Sequence, residues 1–215
     1  MNGRTLKLAI ILEAAGDAKR FGRNKLLEPM ADGLPMVSRI LSSIRSLEAE
    51  YSEYERSNNT SAKDKHVSLV KVLVTQYDQV AELADGFTVV RNNHPELGIS
   101  LSMQLGIGAA GDADAYMFCV CDQPGLKTST IKRLIESYIS ACEKSDAPIV
   151  SLSWQGIMYN PKIFSSIYKE ELMALSGDTG GRQIIKDHMN ELILVEADSE
   201  LEIKDIDTTD EVMEL

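Results

Sequence analysis

Aromatic side chains are scarce in this 215-residue chain, at 6% with a single tryptophan, so its core must be built mostly from aliphatic residues. Cysteine is nearly absent: Cys119, Cys121 and Cys142 are too few for a disulfide framework. Cys119 and Cys121 share one face of an extended run, but no further Cys or His completes a metal set, and they are expected to be buried, reduced thiols. No apolar run approaches the roughly 20 residues of a membrane-spanning helix. The seven-residue apolar stretch after Lys7 lacks the cleavage site of a signal peptide, so a cytoplasmic location is expected. Positive charge is in deficit, with a formal net charge of -11, which argues against nucleic acid and anionic membranes as partners. The glycine-bearing segment after the first apolar run, residues 14–27, matches neither GxGxxG nor GxxxxGK[ST], so neither the dinucleotide fingerprint nor the P-loop applies to it. GxSxG is missing too, and His94 and His188 have no triad-like company.

Alternation of two kinds of segment is what the chain does have. Apolar runs at 8–12, 67–75, 87–90, 115–120 and 147–153 read as buried strands. Apolar residues at helical spacing fill 35–51, 100–110 and 128–144. That order predicts an α/β fold, a three-layer, doubly wound, mostly parallel sheet in one domain spanning 1–215. Residues 51–66 are polar and read as a frayed helix end and surface loop; TTDEVMEL at the end reads as a short helix capped by Thr208 or Thr209. In such sheets ligands bind beyond the carboxyl ends of the strands, so the residues after each run deserve the chemistry.

After the first run comes AAGDAKRFGRNKLL, in which four of the seven residues from Lys19 to Lys25 are cationic. Gly16 and Gly22 let the loop close on a ligand, while Arg20, Arg23 and Lys25 suit a phosphate. The bland alternative is a solvated basic loop on an acidic protein. After the fourth run, CDQPGL places Asp122 where it can hold a hard cation or simply form an Asx turn. IKDIDTTDE puts Asp205 and Asp207 on one face of an extended chain, either of which could join Asp122 on Mg²⁺. NNHPELGISLSMQLG offers Asn and Ser hydrogen bonds to a base or ribose, or merely a helix entry. SGDTGGR offers Asp178, Gly180, Gly181 and Arg182 to a second, anionic substrate, or is a bare turn.

Taken in order, AAGDAKRFGRNKLL, NNHPELGISLSMQLG, CDQPG, GIMYNP, GDTGGR and DIDTTDE resemble the molybdenum cofactor cytidylyltransferase family over about residues 6 to 213. The resemblance implies a Rossmann-like nucleotidyltransferase that uses Mg²⁺ or Mn²⁺. It would transfer CMP from CTP to molybdopterin and release pyrophosphate, serving a molybdoenzyme of the xanthine dehydrogenase type. Ala14, Ala15, Gly16, Arg20, Gly22 and Lys25 match the triphosphate loop, with Lys25 and Arg20 gripping phosphates. Asn92, Gly98 and Ser102 fall near base and ribose. Asp122 matches the metal ligand, with Asp207 as second carboxylate; together with Lys25 and Arg20, Asp122 forms the implied catalytic set. Asn160, Pro161, Asp178, Gly180 and Arg182 face the acceptor. The Ala-Ala-Gly form resembles CTP-using members, whereas a Gly-Gly form marks guanylyl-transferring relatives. Glu13 replaces a leading Leu, Ala18 a Ser, and Tyr159 and Asn160 replace the Gly and His of G-x-x-G-H-P. The departures keep two rivals open: a nucleotidyltransferase for another phosphorylated acceptor such as a sugar phosphate, and a non-catalytic cofactor-delivery protein.

Overall fold

Leu8 to Leu12 have no exposure at all, because helices cover both faces of the strand they form. A computed structural model describes residues 5–16, 24–56, 66–207 and 211; the predicted C-terminal helix and most of the polar 51–66 loop lie outside them. In chain order the elements are β1 (Leu6–Ala14), α1 (Val37–Arg56), β2 (Val67–Thr75), α2 (Asp78–Glu82), β3 (Thr88–Arg91), α3 (Ile99–Ala110), β4 (Ala115–Val120) and α4 (Thr128–Ala141). They continue with β5 (Ile149–Trp154), β6 (Ile157–Ser165), α5 (Lys169–Ala174), α6 (Arg182–Asp187) and β7 (Leu192–Glu196). The strands form one seven-stranded sheet in the order β3-β2-β1-β4-β6-β5-β7, in which β6 alone runs against the rest.

Period-two alternation sorts the core into two layers. Leu8, Ile10 and Leu12 of β1 pack with Ile40, Leu41 and Ile44 of α1 and Ile131, Leu134 and Ile135 of α4. Ala9 and Ile11 face the other way, toward Met103 and Ile107 of α3 and Ile184 and Ile185 of α6. Both α1 and α4 present their buried residues at spacings of three and four, the stripe that predicted them. The expected three-layer α/β architecture is therefore the observed one.

Two strands lay beyond the sequence pattern, β6 and β7. Pro161 interrupts β6 and lacks the donor a central strand needs; the register of β5 against β6 slips between Ser151 and Leu152, so that Asn160 and Pro161 sit in the bulge. A two-residue turn joins β5 to β6, with Gln155 and Gly156 both at positive φ (51° and 78°), the backbone twist that tight hairpins require. Because β6 is reversed, its first residues emerge at the same edge as the carboxyl ends of β1, β4 and β5.

The close approach of α3 to β1 depends on Gly106. A Cβ there would lie 2.3 Å from Ile11 Cγ2. Gly106→Ala is expected to lower stability by about 1–3 kcal/mol through overpacking, outweighing the gain of about 1 kcal/mol in helix propensity. A denaturant midpoint equal to or above that of the wild type would contradict this.

Candidate active site

The chain leaving β1 is pinned before it turns. Thr75 Oγ1 donates to the carbonyl of Ala14 (3.0 Å), Gln76 Nε2 to that of Ala15 (2.8 Å) and Tyr77 Oη to that of Gly16 (3.1 Å). Residues at the end of β2 thus hold the start of the loop in shape, which lowers the ordering cost of closing on a ligand. Arg20 and Gly22 lie outside the described residues. Asn24 Oδ1 accepts from Leu26 N (3.1 Å) and caps the short 3-10 turn Lys25–Leu27.

Lys25 projects from that turn to two carboxylates. Its Nζ lies 2.8 Å from Asp122 Oδ2 and 3.0 Å from Asp207 Oδ1. Burial pushes the ammonium pKa down, but Asp122 and Asp207 more than offset it, so Lys25 stands above its usual value. Asp207 is 85 residues from Asp122, and backbone contacts bring the two together. Ile206 N donates to Asp122 O (3.0 Å), and Gln123 Nε2 donates to Asp205 Oδ1 (2.8 Å). Gly125 packs so tightly on the 200–202 turn that a Cβ would meet Leu201 O at 2.2 Å. Glu202, with no exposure, accepts from Lys127 N and Asp198 N and ties this turn to the start of α4. Of the two candidate aspartates, Asp207 reaches Lys25 while Asp205 is committed to Gln123.

A cavity of about 430 Å³ opens beside this triad, within the range of small-molecule sites. Ala14, Ala15, Gly16, Lys25, Gly98, Ser102, Asp122 and Asp178 all line it, as does Glu13. Gly98 makes its far wall possible: its φ is +90°, and a Cβ would stand 2.2 Å from the carbonyl carbon of Gly177. With Ser100 N donating to Gly177 O (3.2 Å), the entry to α3 is clamped against the turn bearing Asp178.

Other expected residues serve from behind. Buried Asn92 donates to Ser102 Oγ (3.1 Å) and accepts from His94 N (2.9 Å), so its amide shapes the loop before α3. Asn160 Oδ1 accepts from Lys162 Nζ (2.7 Å), Pro161 is buried within β6, and Arg182 Nη2 donates to Met158 O (3.0 Å), fastening α6 to that strand. Gly180 lies on the loop leading into α6, and Asp178 is the member of the acceptor set that reaches the cavity wall. Cys119 and Cys121 are buried free thiols, as expected.

Sequence reasoning missed Lys162. It stands on β6 immediately after the unexpected bulge, and its charge is felt by Glu13 on β1. Burial raises Glu13 to about 8; Lys162 pulls the other way and Asp122 adds to the rise. Burial and Arg182 lower Lys162 to about 8, against the pull of Glu13 and Asp205. Glu13 Oε1 is shut off from solvent with no hydrogen-bond partner. In the unfolded chain Glu13 ionises near 4.5, so the native state binds the extra proton between about 4.5 and 8. Native stability therefore falls as pH rises through that window.

Whether these residues suit a divalent cation can be judged from the oxygen atoms. Asp122 keeps Oδ1 buried and unpartnered while Oδ2 meets Lys25, and Asp207 adds a second hard donor. Among the described residues no group of three or more His, Cys, Asp or Glu could hold a metal alone. Two carboxylates suit Mg²⁺, which keeps waters and takes phosphate oxygens for the remainder of its shell.

Sheet order, layering and the cavity at the carboxyl edge define a nucleotidyltransferase-like α/β protein. The chain belongs to the MobA-like NTP transferase domain family, whose model matches residues 9–192. A search of curated protein sequences finds no match. Similar solved structures include Rv0371c from Mycobacterium tuberculosis H37Rv in complex with manganese (18% identity, 98% of this chain and 99% of that one, TM-score 0.61). A nucleotidyl transferase from Methanothermobacter thermautotrophicus is similar at 19% identity over 94% and 93% of the two chains, TM-score 0.66. So is the 4-diphosphocytidyl-2C-methyl-D-erythritol synthase of Anaerococcus prevotii, at 14% identity over 96% and 93%, TM-score 0.61. At these identities the structural likeness speaks for the fold. No helix among the described residues is long and apolar enough to cross a membrane.

Glu13→Gln removes the ionisation that burial opposes. Its melting temperature is expected to match the wild type near pH 4.5 and to exceed it increasingly up to pH 8. A gap that stays constant across a pH series would mean that the native carboxyl titrates normally.

Proposed function

We propose that the protein is a single-domain, cytoplasmic cytidylyltransferase that joins CMP from CTP to the phosphate of molybdopterin. One observation carries the reading: an ammonium held between two carboxylates, Lys25 with Asp122 and Asp207, at the rim of a cavity lined by the Ala14–Gly16 loop. Triphosphate chemistry needs little more than this, because phosphoryl and nucleotidyl transfers rest on positioning and charge neutralisation. A phosphate oxygen of the acceptor attacks the α-phosphorus of CTP in line. The new P–O bond forms as the bond to the β-phosphate oxygen breaks, and pyrophosphate leaves with the electron pair. Lys25 neutralises charge on the departing group, and Arg20 is assigned to the same triphosphate.

Asp122 and Asp207 would hold Mg²⁺ or Mn²⁺, which would supply charge neutralisation across the phosphates. The oxygen donors described above fit such a cation, and the manganese in the Mycobacterium tuberculosis structure supports a divalent ion in this fold. Ala14, Ala15 and Gly16 bring the backbone close to the nucleotide, Gly98 and Ser102 border it, and Asn92 holds Ser102 in place. Acceptor recognition falls to Asp178 on the cavity wall, with Arg182, Gly180, Asn160 and Pro161 shaping the side nearest β6. The product would be passed to a molybdoenzyme of the xanthine dehydrogenase type.

Pyrophosphate release in the presence of Mg²⁺ and molybdopterin is expected with CTP and not with GTP; equal release from both would overturn the cytidylyl assignment. A parallel series with sugar phosphates as acceptors tests the rival substrate class, and release in that series alone would replace molybdopterin. Lys25→Ala is expected to lower kcat/KM by about 10²–10³-fold, the usual cost of losing one preorganised charge contact. Unchanged kinetics would remove Lys25 from this role.

A further inference from the structure

The ammonium of Lys25 occupies the position that a cation bridging Asp122 and Asp207 would need. Its Nζ is 2.8 Å from one carboxylate oxygen and 3.0 Å from the other. A Mg²⁺ held by these two carboxylates would need the oxygens that Lys25 now engages. Two cations cannot share that gap: a monovalent and a divalent charge a few ångströms apart repel by several kcal/mol even at an effective dielectric of about 20. Asp122 Oδ1 is buried without a hydrogen-bond partner, so an acceptor atom of the pair stays open while the position between the carboxylates is taken.

We infer that Lys25 is a placeholder for the metal, and that the site accepts a divalent cation only when a triphosphate draws the ammonium away. The local architecture suits such an exchange. The backbone of Lys25 is fixed by the Asn24 cap on the 25–27 turn, whereas its ammonium rides on a flexible four-carbon stem. Asp122 is fixed by the hydrogen bond from Ile206 N to its carbonyl and by the packing of Gly125 on Leu201. The carboxylates thus stay while the cation between them changes. Lys25 moves from Asp122 and Asp207 to the phosphates, and the vacated oxygens pass to the metal that arrives with them. Nucleotide and metal then bind with positive coupling, each paying less for the displaced ion pair when the other is present.

The inference rests on the nucleotidyltransferase reading for its triphosphate, but not for its first test. That test titrates Mn²⁺ alone against the whole protein and reads the free ion by electron paramagnetic resonance. Lys25→Met, which keeps the stem and removes the charge, is expected to bind Mn²⁺ about tenfold or more tightly than the wild type. Lys25→Arg keeps the charge and should stay as weak as the wild type. Adding Asp122→Asn to Lys25→Met should abolish the gain, which ties it to this carboxylate rather than to the acidic surface. Circular dichroism of each variant checks folding. Equal or weaker Mn²⁺ binding by Lys25→Met would overturn the placeholder role.

A second arm adds α,β-methylene-CTP, which cannot be cleaved at the reacting bond, with its own Mn²⁺ binding subtracted. In the wild type it should raise Mn²⁺ affinity by a larger factor than in Lys25→Met, where the phosphates add their own oxygens but displace no ammonium. If Lys25→Met gains Mn²⁺ affinity but the nucleotide changes nothing in the wild type, the placeholder stands and the CTP reading fails. If the nucleotide binds and pyrophosphate is released while Lys25→Met gains nothing, the CTP reading stands and the placeholder fails.

Discussion

One ammonium group joins three parts of the chain that lie far apart in sequence. Lys25 comes from the loop after β1, Asp122 from the turn after β4 and Asp207 from the segment after β7. Each alone is a charge at the edge of a sheet, and an exposed ion pair contributes little to stability. Their value is geometric. The loop that would embrace a triphosphate, the carboxylate that would hold a metal and the 203–207 segment are brought into register at one point.

That register is enforced mostly by the backbone. The Asp122 turn is held against the 200–206 segment by Ile206 N on Asp122 O, by Gln123 on Asp205 and Ile203, and by the absence of a side chain at Gly125. Buried Glu202 links the same segment to Lys127 at the start of α4. On the opposite wall, Gly98 and Gly177 allow the entry to α3 to touch the turn carrying Asp178. Rigid elements meet where glycine lets main chains approach, and the charged side chains are left to face the cavity.

Most of the cavity lining was legible from the sequence because its signals are local. An apolar run followed by a glycine-bearing basic turn and an aspartate after a buried strand declare their places by position in an α/β chain. Strands 67–75 and 115–120 have the boundaries that their apolar runs predicted. The side formed by β6 was less legible. β6 carries polar residues and a proline, its pairing depends on a bulge, and its reversed direction follows from a Gln-Gly turn that resembles many surface turns. Lys162 was invisible for the same reason: only the insertion of β6 between β4 and β5 places it near Glu13. The assignment of Asn92 also changed in character, since a polar residue in a loop looks the same in sequence whether it faces a ligand or its neighbours.

The reversed strand has a bearing on how such a scaffold diversifies. Four of the other five connections run from one edge of the sheet to the other and the β6–β7 connection returns to the edge it left, but each carries a helix, so a change in its length disturbs a helix as well. The β5–β6 hairpin turns back at the edge of the sheet that carries the Lys25 triad, with Ile157 exposed beside its two turn residues. Residues could be added or exchanged there without moving a helix, the sheet order or the Lys25 triad. Under the proposed function, selectivity for the acceptor would thereby be separable, within one fold, from the residues assigned to the triphosphate.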